Sequence, residues 1–220
     1  MSRPSPAGHR AFVRRTTRLQ PIPDVPGVRL HLADDVAVTA RLAAEHLGVP
    51  DGGLPFWAFA WLGGLGIARY LGDRPEVVAG GRVVDVGSGS GLCAIVAARA
   101  GAGSVHAFDP DPLAEAAVAL NARTNGVRVG FTRTDPLDAS PPACDVILAG
   151  DVCYEETMGS RMIDWLETAA ALGTRVLIGD PGRRYLPRGL DRVATYRVRT
   201  TLELEDAAEK ETSVFTMTRR

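Results

Sequence analysis

The sequence predicts an α/β fold with a mostly parallel sheet that ends in an antiparallel hairpin. Between residues 83 and 179, short apolar strands alternate with helix-like segments, which is typical of a parallel sheet covered on both faces. Two further strand-like runs, 195–204 and 213–218, are joined by the acidic link 205–211. This link is too short for a crossover helix of normal size, so we expect the two runs to pair antiparallel.

Apolar periodicity and helix-breaking residues place the elements in order along the chain. Helices are predicted at 32–47, 57–71, 91–100, 112–123 and 160–172. The strands before the hairpin are predicted at 83–86, 105–109, 127–133, 145–150 and 175–179. The second helix would carry Trp57 and Trp61 on one face, because residues four apart are neighbours on a helix. Such pairs belong to a core more often than they form a cofactor platform.

Length and composition indicate a single globular domain. The chain has 220 residues, of which 45% are apolar, and a formal net charge of −1. We expect one domain over 1–220, with an N-terminal arm and helix over 1–55 and a ligand-binding core over 56–220. The near-neutral charge gives no electrostatic footprint for nucleic acid, and no apolar run has the length of a membrane span. The first twenty residues contain five arginines and no acid, which predicts a partly ordered arm, with an organellar targeting segment as the alternative.

Cysteines and histidines give no sign of a metal site. Cys93, Cys144 and Cys153 lack metal-type spacing and lie in or beside apolar elements. We expect them to be small core residues in a reducing cytoplasm. None of the four histidines pairs with another at the spacing of metal ligands or of a catalytic triad.

A nucleotide site is predicted where strand 83–86 runs into three glycines at alternate positions, Gly87, Gly89 and Gly91. Glycine allows a sharp turn and a close approach of ligand to backbone, and the next helix directs its positive N-terminal end to the same place. Asp109 closes the following strand, where an acid can accept hydrogen bonds from both hydroxyls of a ribose. A tight turn without a ligand is the alternative.

The spacing favours S-adenosylmethionine (AdoMet) over a dinucleotide. A G-x-G-x-x-G fingerprint aligned on Gly87 and Gly89 would place Leu92 at the third glycine position. Asp85 would repel a pyrophosphate, but it suits the amino group and the sulfonium of AdoMet. The sequence therefore predicts Asp109 on the ribose and Asp85 near the methionine end.

Two later strand ends add candidate residues, because ligands of open α/β sheets bind outside the carboxyl ends of the strands. Asp135 follows the third strand and could accept from the exocyclic amine of an adenine, or belong only to a surface turn. Asp151 and Tyr154 follow the fourth strand, which ends at Gly150. Asp151 could orient an incoming ammonium and help it lose a proton, while Tyr154 supplies a wall with an apolar face and a polar tip. In the alternative, Asp151 caps the next segment and Tyr154 is core.

With these residues, the chain resembles the seven-stranded protein lysine methyltransferases, and within them the electron transfer flavoprotein β-subunit lysine methyltransferases. The resemblance covers nearly the whole chain. One departure is Leu62, which stands where some relatives have proline after the second tryptophan. The segments that carry the resemblance are 28–33, 55–64, 85–91, 109–112 with Asn121, 150–154 and 174–183.

The resemblance implies a Rossmann-like, seven-stranded class I AdoMet-dependent methyltransferase fold. It also implies transfer of methyl groups from AdoMet to lysine side chains of the electron transfer flavoprotein β subunit, by a monomer. Asp151 and Tyr154 are the predicted catalytic residues. The predicted cofactor-binding residues are Trp61, Asp85, Gly87, Ser88, Gly89, Gly91, Asp109, Asp135 and Gly150. The predicted substrate-binding residues are Trp57, Asp180 and Arg183, the last two following the fifth strand.

Two other functions remain open from the residues alone. A small-molecule N-methyltransferase of the same fold, acting on an amine of the nicotinamide type, needs the same cleft. A non-catalytic nucleotide-binding module would have no need of Asp151 and Tyr154.

Overall fold

A computed structural model describes residues 5–51, 53–200 and 207–217. Its helices are α1 (Pro6–Thr16), α2 (Val36–Leu47), α3 (Leu62–Asp73), α4 (Leu92–Arg99), α5 (Pro112–Thr124) and α6 (Glu156–Ala171). Its strands are β1 (Arg18–Pro21), β2 (Arg29–Leu32), β3 (Arg82–Val86), β4 (Ser104–Phe108), β5 (Gly130–Thr132), β6 (Val146–Gly150), β7 (Arg175–Asp180), β8 (Asp191–Arg199) and β9 (Glu209–Thr216). Short 3-10 turns lie at Phe56–Ala58, Pro75–Val77 and Pro136–Asp138.

Seven strands form one sheet in the order β5-β4-β3-β6-β7-β9-β8. The pairs from β5 to β7 are parallel, whereas β9 pairs antiparallel with both β7 and β8. The predicted fold class is therefore confirmed. Because β3 has β4 on one side and β6 on the other, the strand order reverses at β3. The carboxyl ends of these three strands border the crevice where open α/β sheets bind ligands.

Both faces of the sheet are covered, as the short apolar strands predict. Val146 and Leu148 of β6 pack in the hydrophobic cluster that contains α3 and α4, while Ile147 and Ala149 pack with α6 on the other face. Successive strand residues point to opposite faces, so one apolar run supplies both layers. The central strands are thus fixed between helices, and their carboxyl ends are held in place.

The N-terminal segment is more ordered than the arm that the sequence suggests. Ser5 accepts a hydrogen bond from the Gly8 N–H at 3.2 Å and caps α1, which begins at Pro6. Helix α1 packs against α5 and buries Phe12 and Val13. β1 and β2 pair as an antiparallel hairpin. The apolar signal of α1 is short and set among arginines, which is why composition alone indicates an arm.

The first two predicted helices have different bounds in the structure. Helix α2 begins at Val36 because the Asp35 side chain caps it, and Leu32 lies in β2. The predicted helix 57–71 is wrong in its first turn: Phe59 and Trp61 have extended backbones, and α3 begins only at Leu62. Trp57 and Trp61 therefore do not share a helical face.

The last predicted elements shift by several residues. The strand predicted at 127–133 shortens to β5, where Gly130 pairs with His106 of β4. The predicted helix 160–172 begins earlier, at Glu156. In the hairpin, β8 and β9 both begin before the predicted 195 and 213, and β9 takes up part of the acidic link. Residues 201–206 and 218 of that prediction lie outside the described residues.

Candidate functional site

A cavity of about 260 Å³ lies at the carboxyl ends of β3, β4 and β6. Its floor is the glycine loop that follows β3. Five carboxylates line it, and they are Asp85, Asp109, Asp111, Asp135 and Asp151. Aromatic side chains form much of its wall, and they are Phe56, Trp57, Phe59, Trp61 and Tyr154. Acids beside aromatic rings suit a ligand that combines a positive charge with apolar surface.

The glycine loop has a backbone conformation that favours glycine. Gly87, Gly89 and Gly91 have φ values of +62°, +50° and +82°, a region that side-chain-bearing residues rarely adopt. A Cβ on Gly89 would lie 3.1 Å from the carbonyl oxygen of Phe56. The loop therefore approaches the 3-10 turn closely, and Gly91 then serves as the N-cap of α4.

Asp85 and Ser88 lie at the base of this loop. One oxygen of Asp85 accepts from the Ala94 N–H of α4 at 3.2 Å, and burial raises the pKa of this carboxyl to about 7. The Ser88 hydroxyl lies near this carboxyl and opposes the rise in its pKa. Its oxygen is nevertheless buried without a hydrogen bond of normal geometry within the described residues. A buried hydroxyl in this state is a candidate ligand contact.

Asp109 ties the end of β4 to the glycine loop. Its Oδ2 accepts from the Gly89 N–H and its Oδ1 from the Asp111 N–H, each at 2.9 Å. Burial raises the pKa of Asp109 to about 6. Each carboxylate oxygen has two lone pairs, so these bonds leave capacity for a ligand.

The position of Asp135 fits both interpretations of its place in the sequence, a surface turn and a ligand contact. Its Oδ1 accepts from the Leu137 N–H at 2.9 Å and caps the turn Pro136–Asp138. The same residue also lines the cavity. The surface turn and the predicted ligand contact are therefore compatible.

Asp151 is held on both of its carboxylate oxygens. Oδ2 accepts from the Gly64 N–H of α3 at 2.9 Å, and Oδ1 accepts from Nη1 of Arg183 at 2.6 Å. The backbone of Asp151 has a φ of +58°, which is rare for a residue with a side chain and is frequent at functional sites. Burial raises the pKa of Asp151 to about 6, although Arg183 opposes the rise.

Asp180 is fully buried and lies outside the lining of the cavity. Its Oδ1 accepts from the N–H groups of Gly182 and Arg183 at 2.7 and 2.6 Å, so it shapes the turn after β7. The sequence predicts both Asp180 and Arg183 as substrate-binding residues, but neither lines the cavity. Arg183 instead reaches Asp151, which does.

The aromatic wall joins two distant segments. The rings of Phe56 and Tyr154 lie 5.0 Å apart between centroids, and Trp61 donates from Nε1 to the carbonyl of Phe56 at 3.1 Å. Trp57 is buried in the wall and packs on Phe12 of α1. Tyr154 is 44% exposed, so it is a rim residue rather than core. Sequence reasoning missed Phe56 and Phe59, although their position beside the tryptophans was a usable signal.

Close packing of α3 on β7 fixes the part of the cavity that contains Asp151. A Cβ on Gly63 would overlap the carbonyl of Gly179 and would lie 2.7 Å from the Asp151 nitrogen. Gly150 is equally close to Gly64, where an added Cβ would lie 3.0 Å from the Gly64 Cα. These contacts place the N-terminus of α3 against Asp151.

Among the residues that the structure describes, no group of three or more His, Cys, Asp or Glu side chains is arranged to hold a metal ion. No helix among them is long and apolar enough to cross a membrane.

Several known proteins are similar to this chain in sequence. Residues 72–151 match a family model described as ribosomal protein L11 methyltransferase. The chain is 36% identical over 176 residues to the electron transfer flavoprotein beta subunit lysine methyltransferase of Xenopus laevis, covering 79% of this chain and 70% of that protein. It is 43% identical over 131 residues to the protein of the same name from Rattus norvegicus, covering 59% of this chain and 51% of the relative. The chain thus spans between half and about two thirds of these relatives.

Solved structures agree with the fold. TrmN from Thermus thermophilus has a TM-score of 0.51 at 26% identity, covering 70% of this chain and 49% of that one. Magnesium protoporphyrin IX methyltransferase from Synechocystis, solved with bound SAM, has a TM-score of 0.51 at 20% identity, covering 70% of this chain and 76% of that one. The second likeness concerns the fold alone.

Proposed function

The chain belongs to the electron transfer flavoprotein β-subunit lysine methyltransferase family, and we propose that it transfers methyl groups from AdoMet to lysine side chains of that flavoprotein's β subunit. The proposal rests on a single cavity that is lined both by the glycine loop and Asp109 and by Asp151 and Tyr154. We assign the first set to a cofactor side and the second to an acceptor side. A cofactor and an acceptor amine can therefore meet within the cavity.

The residues on the first side fit AdoMet. The glycine loop offers a backbone cradle, the Ser88 hydroxyl is buried without a hydrogen bond of normal geometry within the described residues, and Asp109 keeps free lone pairs. We assign Asp109 to the ribose hydroxyls and Asp85 to the methionine end. Asp135, Trp61 and Gly150 also line the cavity, and we assign them to the cofactor as well. Acidic side chains favour a ligand with a net positive charge.

AdoMet supplies a methyl group on a positively charged sulfur. The lone pair of the lysine nitrogen forms the new N–C bond as the C–S bond breaks, which leaves a thioether and a methylated ammonium that loses its proton to water. The lysine must arrive neutral, yet with a pKa of about 10.4 it is almost entirely protonated at pH 7. Catalysis therefore needs a residue set that aligns the amine and favours its neutral form.

Tyr154 and Asp151 are the residues that we assign to this task. The Tyr154 ring stands at the rim against Phe56 and shields an entering amine from water, which lowers the pKa of that amine. Asp151 is fixed by Gly64 and presents a hydrogen-bond acceptor. Trp57, in the same wall, supplies apolar surface for the lysine stem.

We also propose a monomer acting in a reducing compartment such as a bacterial-type cytoplasm. Cys93, Cys144 and Cys153 are free and buried, which supports a reducing environment.

Mass spectrometry tests the function directly. The purified protein is incubated with isotopically labelled AdoMet and purified electron transfer flavoprotein, and separately with nicotinamide. We expect labelled methyl-lysine on the β subunit, and no label after incubation with the Asp151→Ala variant. Turnover of nicotinamide without methyl-lysine on the β subunit would replace the proposal with the small-molecule alternative.

A further inference from the structure

The charge of Asp151 affects the protonation state of the acceptor lysine. An unpaired carboxylate beside the acceptor would favour lysine as ammonium, because an opposite charge stabilises the charged form. Methyl transfer requires the neutral amine. A negatively charged Asp151 would thus bind the lysine in its unreactive state.

The structure gives Asp151 its own cation. The Arg183 guanidinium lies 2.6 Å from Asp151 Oδ1, with side-chain exposures of 23% for Arg183 and 11% for Asp151. A pair so shielded from water interacts far more strongly than a surface ion pair. The second oxygen of Asp151 is held by Gly64, so the carboxylate cannot turn away from the guanidinium without losing that bond.

The position of Arg183 is also fixed from its backbone. Asp180 accepts from the N–H of Arg183, and Gly182 completes the turn with a φ of +92°. The side chain of Asp180 is fully buried, so this acid is part of the internal structure. Asp180 therefore holds the turn from which the Arg183 side chain reaches Asp151.

We propose that Arg183 is a positioning residue that neutralises Asp151 internally, so that the acceptor lysine enters as a neutral amine. This inference rests on the proposed lysine methylation. Asp151 then acts as a fixed hydrogen-bond acceptor within a balanced ion pair, and it does not compete to hold the amine as a cation.

The other titratable groups near Asp151 do not replace Arg183. Asp180 on β7 and Asp85 on β3 are acids, so they add negative charge rather than remove it. Cys93 on α4 and Cys153 beside Asp151 have a raised pKa because they are buried, so both remain neutral thiols. Tyr154 also has a pKa raised by burial and remains a neutral phenol. Among these neighbours, Arg183 supplies the positive charge.

The test is the pH dependence of kcat and KM on the flavoprotein substrate in wild type, Arg183→Gln and Arg183→Lys. In Arg183→Gln, the lysine is held as ammonium, so kcat at pH 7 should fall about tenfold and recover about one pH unit higher. KM should not rise. Arg183→Lys keeps the charge and should recover much of the kcat at pH 7.

Arg184→Gln is the matched control, because it removes the adjacent arginine, which packs over the Tyr185 ring. Its pH profile should equal that of wild type. A second measurement is independent of turnover. Calorimetry in buffers of different ionisation enthalpy gives the number of protons released when the flavoprotein binds in the presence of the demethylated cofactor. Wild type should release up to one proton more than Arg183→Gln as the lysine becomes neutral.

Three results would overturn the inference. A higher KM with unchanged kcat would make Arg183 a substrate-steering residue. A uniform fall in kcat without a pH shift, at normal affinity for the demethylated cofactor, would make its role structural. Equal proton release by wild type and Arg183→Gln would show that it does not control the lysine. Absence of methyl transfer by wild type would instead contradict the proposed function.

Discussion

The cofactor side and the acceptor side of the cavity each bury a carboxylate, but they hold it in different ways. Asp109 is held by two backbone N–H groups, from Gly89 and Asp111. Asp151 is held by one N–H group and one guanidinium. Burial raises the pKa of each carboxyl to about 6. N–H groups carry only partial charge, so Asp109 remains a net anion for a cationic ligand, whereas Asp151 is paired with a full positive charge.

This difference matches what each side is proposed to receive. AdoMet carries a permanent positive charge, and a site with uncompensated acids attracts it. Lysine carries a charge that must be lost before reaction, and a balanced pair does not oppose that loss. Variants that change one side at a time test this difference.

The largest effect is expected on the acceptor side. Asp151→Ala should reduce methyl transfer to the flavoprotein about 1000-fold, since it removes a group that positions the amine. It should change the affinity for the demethylated cofactor less than about threefold, because the glycine loop and Asp109 are untouched. Single-turnover assays and calorimetry measure the two quantities. Asp164→Ala, on the exposed face of α6, is the control. Full activity in Asp151→Asn would show that the charge of Asp151 is not needed.

The second effect belongs to the cofactor side. Asp109→Ala should weaken AdoMet binding by about 3 kcal/mol, or more than 100-fold, because two hydrogen bonds to a charged group are lost. At saturating AdoMet, the remaining kcat should be reduced much less. Calorimetric titration with AdoMet decides this, with Asp138→Ala as an exposed acidic control. Unchanged affinity in a folded variant would contradict the assignment of Asp109 to the ribose. Tighter binding of NAD than of AdoMet would contradict AdoMet as the cofactor.

The third effect is a loss of AdoMet affinity at low pH. The pKa values of Asp85, about 7, and of Asp109, about 6, lie above those of ordinary carboxyls because both are buried. As the pH falls from 7.5 to 5.5, both groups gain protons and lose the charge that attracts AdoMet. Affinity should drop by roughly tenfold or more, as follows from ionisation equilibria with these pKa values. In Asp109→Asn, the drop below pH 6 should be smaller. A constant affinity across this range would show that neither charge contributes.

The sequence was sufficient for the parts of the site that are continuous in the chain. Strand β3, the three glycines and the acid after β4 are encoded within 27 residues, from 83 to 109, and their geometry follows from local chemistry. Asp151 and Tyr154 directly follow a buried strand, so the sequence could place them at the same edge of the sheet, where both line the cavity. The fold class followed from the alternation of short strands and helices.

Contacts between distant segments could not be predicted from one sequence. The Asp151–Arg183 pair joins residues 32 positions apart, and the turn set by Asp180 decides its geometry. The tryptophan segment misled the helix prediction because its apolar spacing continues through residues whose backbone is extended. Helix α1 was missed because its burial depends on α5, about a hundred residues later.

The smallest expected effect is on the free energy of unfolding. It is measured by replacing one glycine from each side of the cavity in the protein without cofactor. Gly89→Ala places a side chain at a φ of +50° and 3.1 Å from the Phe56 oxygen, so it should lower the free energy of unfolding by about 1–2 kcal/mol. Gly64 lies in α3, and a Cβ there would meet only ordinary contacts, the nearest being Cys93 Sγ at 3.7 Å. Gly64→Ala should therefore stabilise the protein by up to about 1 kcal/mol, because alanine favours a helix. Thermal unfolding should show shifts of a few degrees in opposite directions. If Gly64→Ala lost as much stability as Gly89→Ala, the N-terminus of α3 would be packed as tightly at Gly64 as the glycine loop is at Gly89. The two sides of the cavity would then differ in their carboxylates but not in the packing of their backbones.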